Sequence, residues 1–276
     1  MNKTKKVSRK IIALVLSIVM ILSIVPMSAS AAEAIKKGLT TDKEVNFAVM
    51  SDMHYYPASL AGNYNDAFMK SIKTALAREP YQSVGILESA LAGIAEHAKE
   101  NGMKYLILSG DLTSNGEYEA HRQLAARLEK FEKDTGIQVI AINGNHDINK
   151  ANGTTYENGE AELAKRTTPE DFLEIYKNLG YDLAYHRYTP SKGKANMLSY
   201  SVRADGYRFI VMDTGKYSSD VTEKGKDLAE TAGCLTTEAT NWVLNEIADA
   251  KANGETVIGV SHHNFVPHFT GEYTII

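Results

Sequence analysis

Cysteine is nearly missing from this chain: Cys234 stands alone among 276 residues. One thiol closes no intramolecular disulfide, so stability rests on a buried core and on any bound group. No histidine or other base neighbours Cys234 in sequence, and it reads as a small packed residue, not a nucleophile. An excess of positive charge is missing as well, with 30 Lys and Arg against 34 Asp and Glu and a net charge of -4. That balance argues against a nucleic-acid partner. No internal repeat or low-complexity linker interrupts the chain, and after Val25 no apolar run is long enough to span a bilayer. With 43% hydrophobic residues the chain can bury a sizeable core.

The N-terminus has the order of a secretory signal. Lys3, Lys5, Lys6, Arg9 and Lys10 precede an uncharged apolar stretch from Ile11 to Val25, followed by Pro26 and Ser28-Ala29-Ser30-Ala31-Ala32. The expectation is a signal peptide over residues 1–31, cleaved after Ala31 at an Ala-x-Ala site. An uncleaved membrane anchor is the alternative, the apolar run being slightly short for a span. Either way the remainder is expected outside the cytoplasm, secreted or in the cell envelope, with no membrane span once the signal is removed.

The rest, residues 40–276, reads as one catalytic domain. Short aliphatic runs at Val45–Met50, Tyr105–Leu108, Val139–Ile142 and Val257–Val260 have the character of buried parallel strands. Between them lie amphipathic helices, one over Gln82–Glu100 with Leu87, Leu91 and Ile94 on one face, one over Glu117–Lys133 with His121, Leu124, Leu128 and Phe131. A third, capped by Thr236 or Thr237, carries Trp242, Val243 and Ile247. Periodicity weakens over 149–206, read as an insertion holding a short helix capped at Thr168. Ala195–Arg203 and Tyr207–Met212 flank Ala204-Asp205-Gly206 as a hairpin, suggesting a second, antiparallel sheet.

Each aliphatic run ends in chemistry: Ser51-Asp52-Met53-His54, Ser109-Gly110-Asp111, Asn143-Gly144-Asn145-His146-Asp147 and Ser261-His262-His263. Carboxylates, imidazoles and an amide gathered at strand ends make a site for hard or borderline metal ions. Residues two apart on a strand share a face, so Asp52 and His54 are expected to hold one metal together. Asp111 can bridge two cations about 3.5–4 Å apart. Asn145 and His262 then serve the second. Such a pair activates water to a bridging hydroxide and clamps phosphoryl oxygens. His146 is expected to donate to the leaving group, with Asp147 orienting its ring.

Asp-x-His, Gly-Asp, Gly-Asn-His-Asp and a later His after an aliphatic strand, in this order from about Val45 to His263, resemble the calcineurin-like metallophosphoesterases. The resemblance implies a four-layer α/β/β/α sandwich with two mixed β-sheets and two divalent metal ions, Mn, Fe, Zn or similar. By it, Asp52 and His54 serve the first metal, Asp111 bridges, Asn145 and His262 serve the second, and His146 acts on the leaving group. The implied activity is hydrolysis of a phosphomonoester or phosphodiester, the substrate a small molecule or lipid. The family pattern closes with Gly-His-x-His, one imidazole per metal, and no such segment occurs before Ile276. The expectation is a longer natural protein; otherwise His268 or another group substitutes. The competing class is a non-catalytic envelope protein that keeps the scaffold for binding.

Other residues carry blander readings. His263 points opposite to His262 on an extended chain, so one of the pair is the ligand, His262 by this reading and His263 if the two are swapped; Asp213 is a turn or supporting residue, and His97 and His121 are packed or solvated on helices. His186 has no nameable partner. His268 reads as a loop residue. Tyr55, Tyr56 and Tyr64 either stack on a substrate ring or pack.

Overall fold

The computed structural model describes residues 44–72, 79–217 and 232–266. The signal segment, His268 and the final residues lie outside them. Strand β1 (Phe47–Met50) is followed by helices α1 (Asp66–Ile72) and α2 (Ser83–Asn101), strand β2 (Tyr105–Ser109), helix α3 (Tyr118–Thr135) and strand β3 (Gln138–Ile142). These strands form a parallel sheet in the order β1-β2-β3. The first four residues of β2, Tyr-Leu-Ile-Leu, are all buried, as a central parallel strand covered on both faces requires. Val49 on β1 remains 57% exposed.

A ribbon of β4 (Thr154–Thr155) and β5 (Glu162–Leu163) comes next, then helix α4 (Pro169–Ile175). A capping box closes α4: Thr168 Oγ1 accepts from Asp171 N, and the Asp171 carboxylate accepts from Thr168 N. The second sheet has the order β6 (Ala184–Arg187), β7 (Tyr200–Ala204), β8 (Tyr207–Met212) and β9 (Thr256–Ser261). Its pairs are antiparallel except β8–β9, which is parallel, so this sheet is mixed. Helix α5 (Thr237–Ala252), capped by Thr236 Oγ1 on Ala239 N, packs on β8 and β9.

The hairpin at Asp205-Gly206 forms as its sequence predicts, both residues having positive φ. Its first strand starts at Tyr200 and not at Ala195, because 191–198 is spent in turns. The segment expected as an insertion over 149–206 divides: the ribbon and α4 lie apart from the sheets, whereas 184–204 supplies two strands of the second sheet. The long-range pairing that places those strands has no local signature.

The two sheets pack face to face. Phe209 of β8 meets Phe47 edge-on, with ring centroids 5.6 Å apart, and Tyr105 in a tilted contact at 5.9 Å, and Tyr200 Oη donates to Ala141 O at 2.8 Å. Strand alternation then turns Arg208, Ile210 and Met212 toward α5. The result is an α/β sandwich with helices outside both sheets. Among the described residues no helix is long and apolar enough to cross a membrane.

Arg208 is among the largest fully buried side chains of the described residues. Nη1 donates to Glu246 at 2.8 Å, and Nη2 donates to Asp249 at 2.8 Å and Glu255 at 2.7 Å. Glu246 also accepts from Ser201 Oγ at 2.6 Å and lies 2.7 Å from His186 Nδ1. His186 therefore has a partner, sixty positions away, that no sequence window contains. Tyr55 and Tyr56 are buried, Tyr56 stacking on Phe68 at 5.7 Å, so both belong to the core, while Tyr64 is 38% exposed.

Candidate metal centre

The site grows out of four loops at the ends of β1, β2, β3 and β9. After β1 the chain leaves extended geometry: Asp52 and His54 have φ of 55° and 42°, and Asp111, after β2, has 48°. Non-glycine residues in the left-handed region store backbone strain, and such strain concentrates at functional sites. The expectation that Asp52 and His54 share a strand face is corrected here, since β1 stops at Met50. What holds them is the neighbouring loop: Asp52 N donates to Gly110 O at 3.1 Å, His54 N to Asp111 O at 3.0 Å and Tyr55 N to Leu112 O at 2.9 Å.

Asp111 is the centre of the arrangement. His54 Nε2 lies 3.7 Å from its Oδ2 and His262 Nε2 3.5 Å from its Oδ1. His262 Nε2 is also 3.1 Å from Asn145 Oδ1. Each imidazole is turned by its other nitrogen, His262 Nδ1 toward Ser109 O at 3.0 Å and His54 Nδ1 toward Thr113 O at 3.3 Å. A ring whose Nδ1–H donates to a carbonyl presents a lone pair at Nε2. Lone pairs from two imidazoles, a carboxylate and an amide oxygen therefore converge, an arrangement that repels itself until cations or protons enter. Asp52, Asp111 and His262 each offer one ligand atom, all within 4.8 Å of one another. This nitrogen and oxygen donor set fits borderline divalent ions.

Burial in this setting, then the neighbouring Asp147 charge, pushes the Asp111 carboxyl up to about 6, with His262 opposing. A bound cation acts in the reverse direction. The loops meet without room for side chains. A Cβ at Gly144 would lie 2.3 Å from both Asp111 N and Asp111 Oδ1, and one at Gly110 2.7 Å from the His262 Cβ. Position 144 thus admits no side chain without displacing the central carboxylate.

His146 stands beside these donors. Its N–H donates to Asp111 Oδ1 at 2.8 Å, and its ring meets the His54 ring edge-on at 5.2 Å. Asp147 does not orient it. Consecutive residues of this turn point apart, and the Asp147 carboxylate accepts from Leu112 N, Thr113 N and Gly144 N at 3.1, 2.9 and 2.7 Å. It is a fully buried tie between the β2 and β3 loops. His121, also fully buried, supports that tie: Nε2 lies 3.1 Å from Thr113 Oγ1 and Nδ1 lies 2.9 Å from Tyr176 Oη. Burial holds its imidazole below the usual range, which favours the neutral ring.

The His146 ring is met at Nδ1 by Asn115, whose Oδ1 is 3.1 Å away. Asn115 is not among the residues singled out from sequence, since an Asn-Gly pair four residues after Asp111 signals only a turn. His263 turns away from the donors to Thr214 Oγ1 at 2.6 Å. Asp213 is buried and takes bonds from Asn143 Nδ2 at 3.0 Å and from Tyr217 Oη. A groove of about 450 Å³, with Val49, Met50, Ser83 and Ile86 in its walls, opens at Asp52 and His54.

The family model for calcineurin-like phosphoesterases matches residues 45–274. The chain belongs to the calcineurin-like phosphoesterase family. Among solved structures, a dimetal phosphatase from Danio rerio is similar, with 12% identity and a TM-score of 0.49 over 82% of this chain and 72% of that one. No curated protein matches. As a calcineurin-like phosphoesterase the chain has a metal-dependent hydrolase fold for phosphate esters, with its candidate metal cluster at the ends of the sheet strands.

Proposed function

We propose that this protein hydrolyses phosphomonoesters or phosphodiesters of small molecules or lipids outside the cytoplasm, using two divalent ions. The observation that carries the reading is Asp111, with one imidazole Nε2 directed at each of its two carboxylate oxygens. In this reading Asp52 and His54 hold one ion, Asn145 and His262 hold the other, and Asp111 lies between. When bound, the ions supply Lewis-acid charge that activates water and neutralises phosphoryl oxygens.

The side chains of this protein do the rest. Asp111, held in place by the His146 N–H, would reduce the repulsion between bound ions. The left-handed loops, pinned by Asp147, set the donors before any ligand arrives, so little reorganisation accompanies the reaction. His146 gives a proton to the departing oxygen. The groove beside Asp52 receives the organic part of the ester. The signal-like N-terminus supports the extracytoplasmic placement.

The test is metal content and turnover in one preparation. Dialysis against a chelator should remove the metal and abolish hydrolysis of p-nitrophenyl phosphate or its diester, and Mn2+ or Zn2+ should restore it. His146→Ala should keep the metal while lowering kcat by roughly 10²–10⁴-fold, the usual worth of a general acid. Hydrolysis that survives metal removal refutes the proposal.

A further inference from the structure

We infer that Asn115 is a positioning residue for His146, fixing its ring so that Nε2 is the atom that meets the leaving-group oxygen. The inference rests on the proposed role of His146 and adds to it a partner that the motif itself does not contain. His146 Nδ1 and Asn115 Oδ1 are 3.1 Å apart, so the Nδ1–H donates to the amide oxygen. The ring is then fixed at one nitrogen by Asn115 and at its backbone by the bond from His146 N to Asp111.

The loop presenting Asn115 is itself tightly held. Asn115 N donates to Glu117 Oε2 at 2.8 Å, and Gly116 N donates to Thr113 Oγ1 at 3.1 Å. Glu117 is 1% exposed, so this latch is shielded from solvent. Gly116 sits so close to the histidine loop that a Cβ there would be 2.7 Å from Asp147 O. The Asn115 loop and the His146 loop therefore move as one body.

The amide suits the task because it aligns the ring without bringing another formal charge to a site built for cations. In the step itself, the oxygen of an attacking water bonds to phosphorus and yields its proton to solvent as the P–O bond to the leaving group breaks, the Nε2–H bond of the imidazolium breaks, and an O–H bond forms on the departing oxygen. The ring is left neutral with its proton on Nδ1, the tautomer that Asn115 Oδ1 accepts. Solvent water returns the proton to Nε2.

The experiment compares an alkyl phosphate, whose alkoxide needs a proton, with p-nitrophenyl phosphate, whose phenolate does not. Asn115→Leu should lower turnover of the alkyl ester by roughly 10–100-fold and of the aryl ester by only a few-fold. Asn115→Asp keeps an acceptor and should return alkyl-ester turnover to within several-fold of the parent. His146→Ala is measured alongside. If His146→Ala discriminates between the esters and Asn115→Leu does not, the positioning role is overturned while the role of His146 stands. If His146→Ala shows no discrimination, the leaving-group role fails and the inference with it. Long-range 1H–15N NMR of the metal-free protein, recorded at a pH where the ring is neutral, reads the tautomer directly: the proton is expected on Nδ1, and a proton on Nε2 alone overturns the assignment whatever the kinetics.

Discussion

Asp111→Asn is expected to abolish hydrolysis while leaving the protein folded, and to raise the melting temperature of the metal-free form. Both signs follow from one geometry. The carboxylate is 3% exposed and faces the Nε2 atoms of His54 and His262, with Asp147 close behind. If it lies between two cations as proposed, losing its charge removes several kcal/mol of attraction. At about 1.4 kcal/mol per tenfold, a fall of roughly 10³-fold or more in kcat/KM is expected. Metal affinity should fall in parallel by calorimetric titration with Mn2+ or Zn2+.

Without metal the same charge opposes folding, since it is buried among acceptors. An amide in its place keeps an oxygen for the His146 N–H and brings an N–H₂ toward an imidazole lone pair. A gain of about 1 kcal/mol corresponds to some 2–4 °C in a domain of this size. A variant that binds metal like the parent, or turns over within tenfold of it, overturns the central place given to Asp111.

The second large effect concerns stability alone. Arg208→Met should cost about 3–5 kcal/mol, the usual consequence of removing one partner from a buried ion cluster. The Arg208 side chain is fully buried and Glu246 is only 6% exposed, so this carboxylate loses its guanidinium where water does not replace it, while Glu255, equally shielded, keeps Arg203 as a partner. Asp249, at 38% exposed, is solvated and contributes less. Adding Glu246→Leu to Arg208→Met should recover part of the loss, because apolar packing suits this interior better than an unpaired charge. The measurement is the urea midpoint of the two variants against the parent. An unchanged midpoint for Arg208→Met would falsify the account. Because β8 turns Arg208 toward α5 and away from the loops that carry the donors, kcat per folded molecule should be unaltered.

Much of the scaffold was legible because its signals are local. The aliphatic runs ending at Met50, Leu108, Ile142 and Val260 form strands, and the helices stop near the Gly102, Gly136 and Asn253 breaks that the sequence displays. The gathering of Asp52, Asp111, Asn145 and His262 followed from parallel strands delivering their ends to one edge. The rest depended on geometry that periodicity does not encode. Asp52 and His54 were read as strand residues because nothing in Asp-x-His signals a left-handed backbone. Asp147 was assigned to its neighbour His146, whereas tight turns separate adjacent side chains and sent it to the amides of the β2 loop. Arg208, in an alternating strand, looks like a solvent-facing residue until α5 covers it, and its partners lie 38 to 47 positions away.

The donors come from both halves of the sandwich, Asp52, Asp111 and Asn145 from the ends of the parallel sheet and His262 from the end of β9 in the mixed one. Cations seated there would act as rivets through the seam, opposing any sliding of one sheet over the other. Free metal at a hundred times its dissociation constant contributes about 2.7 kcal/mol to the folded state. In a chain whose lone cysteine forbids a covalent brace, the catalytic ions would double as its cross-link.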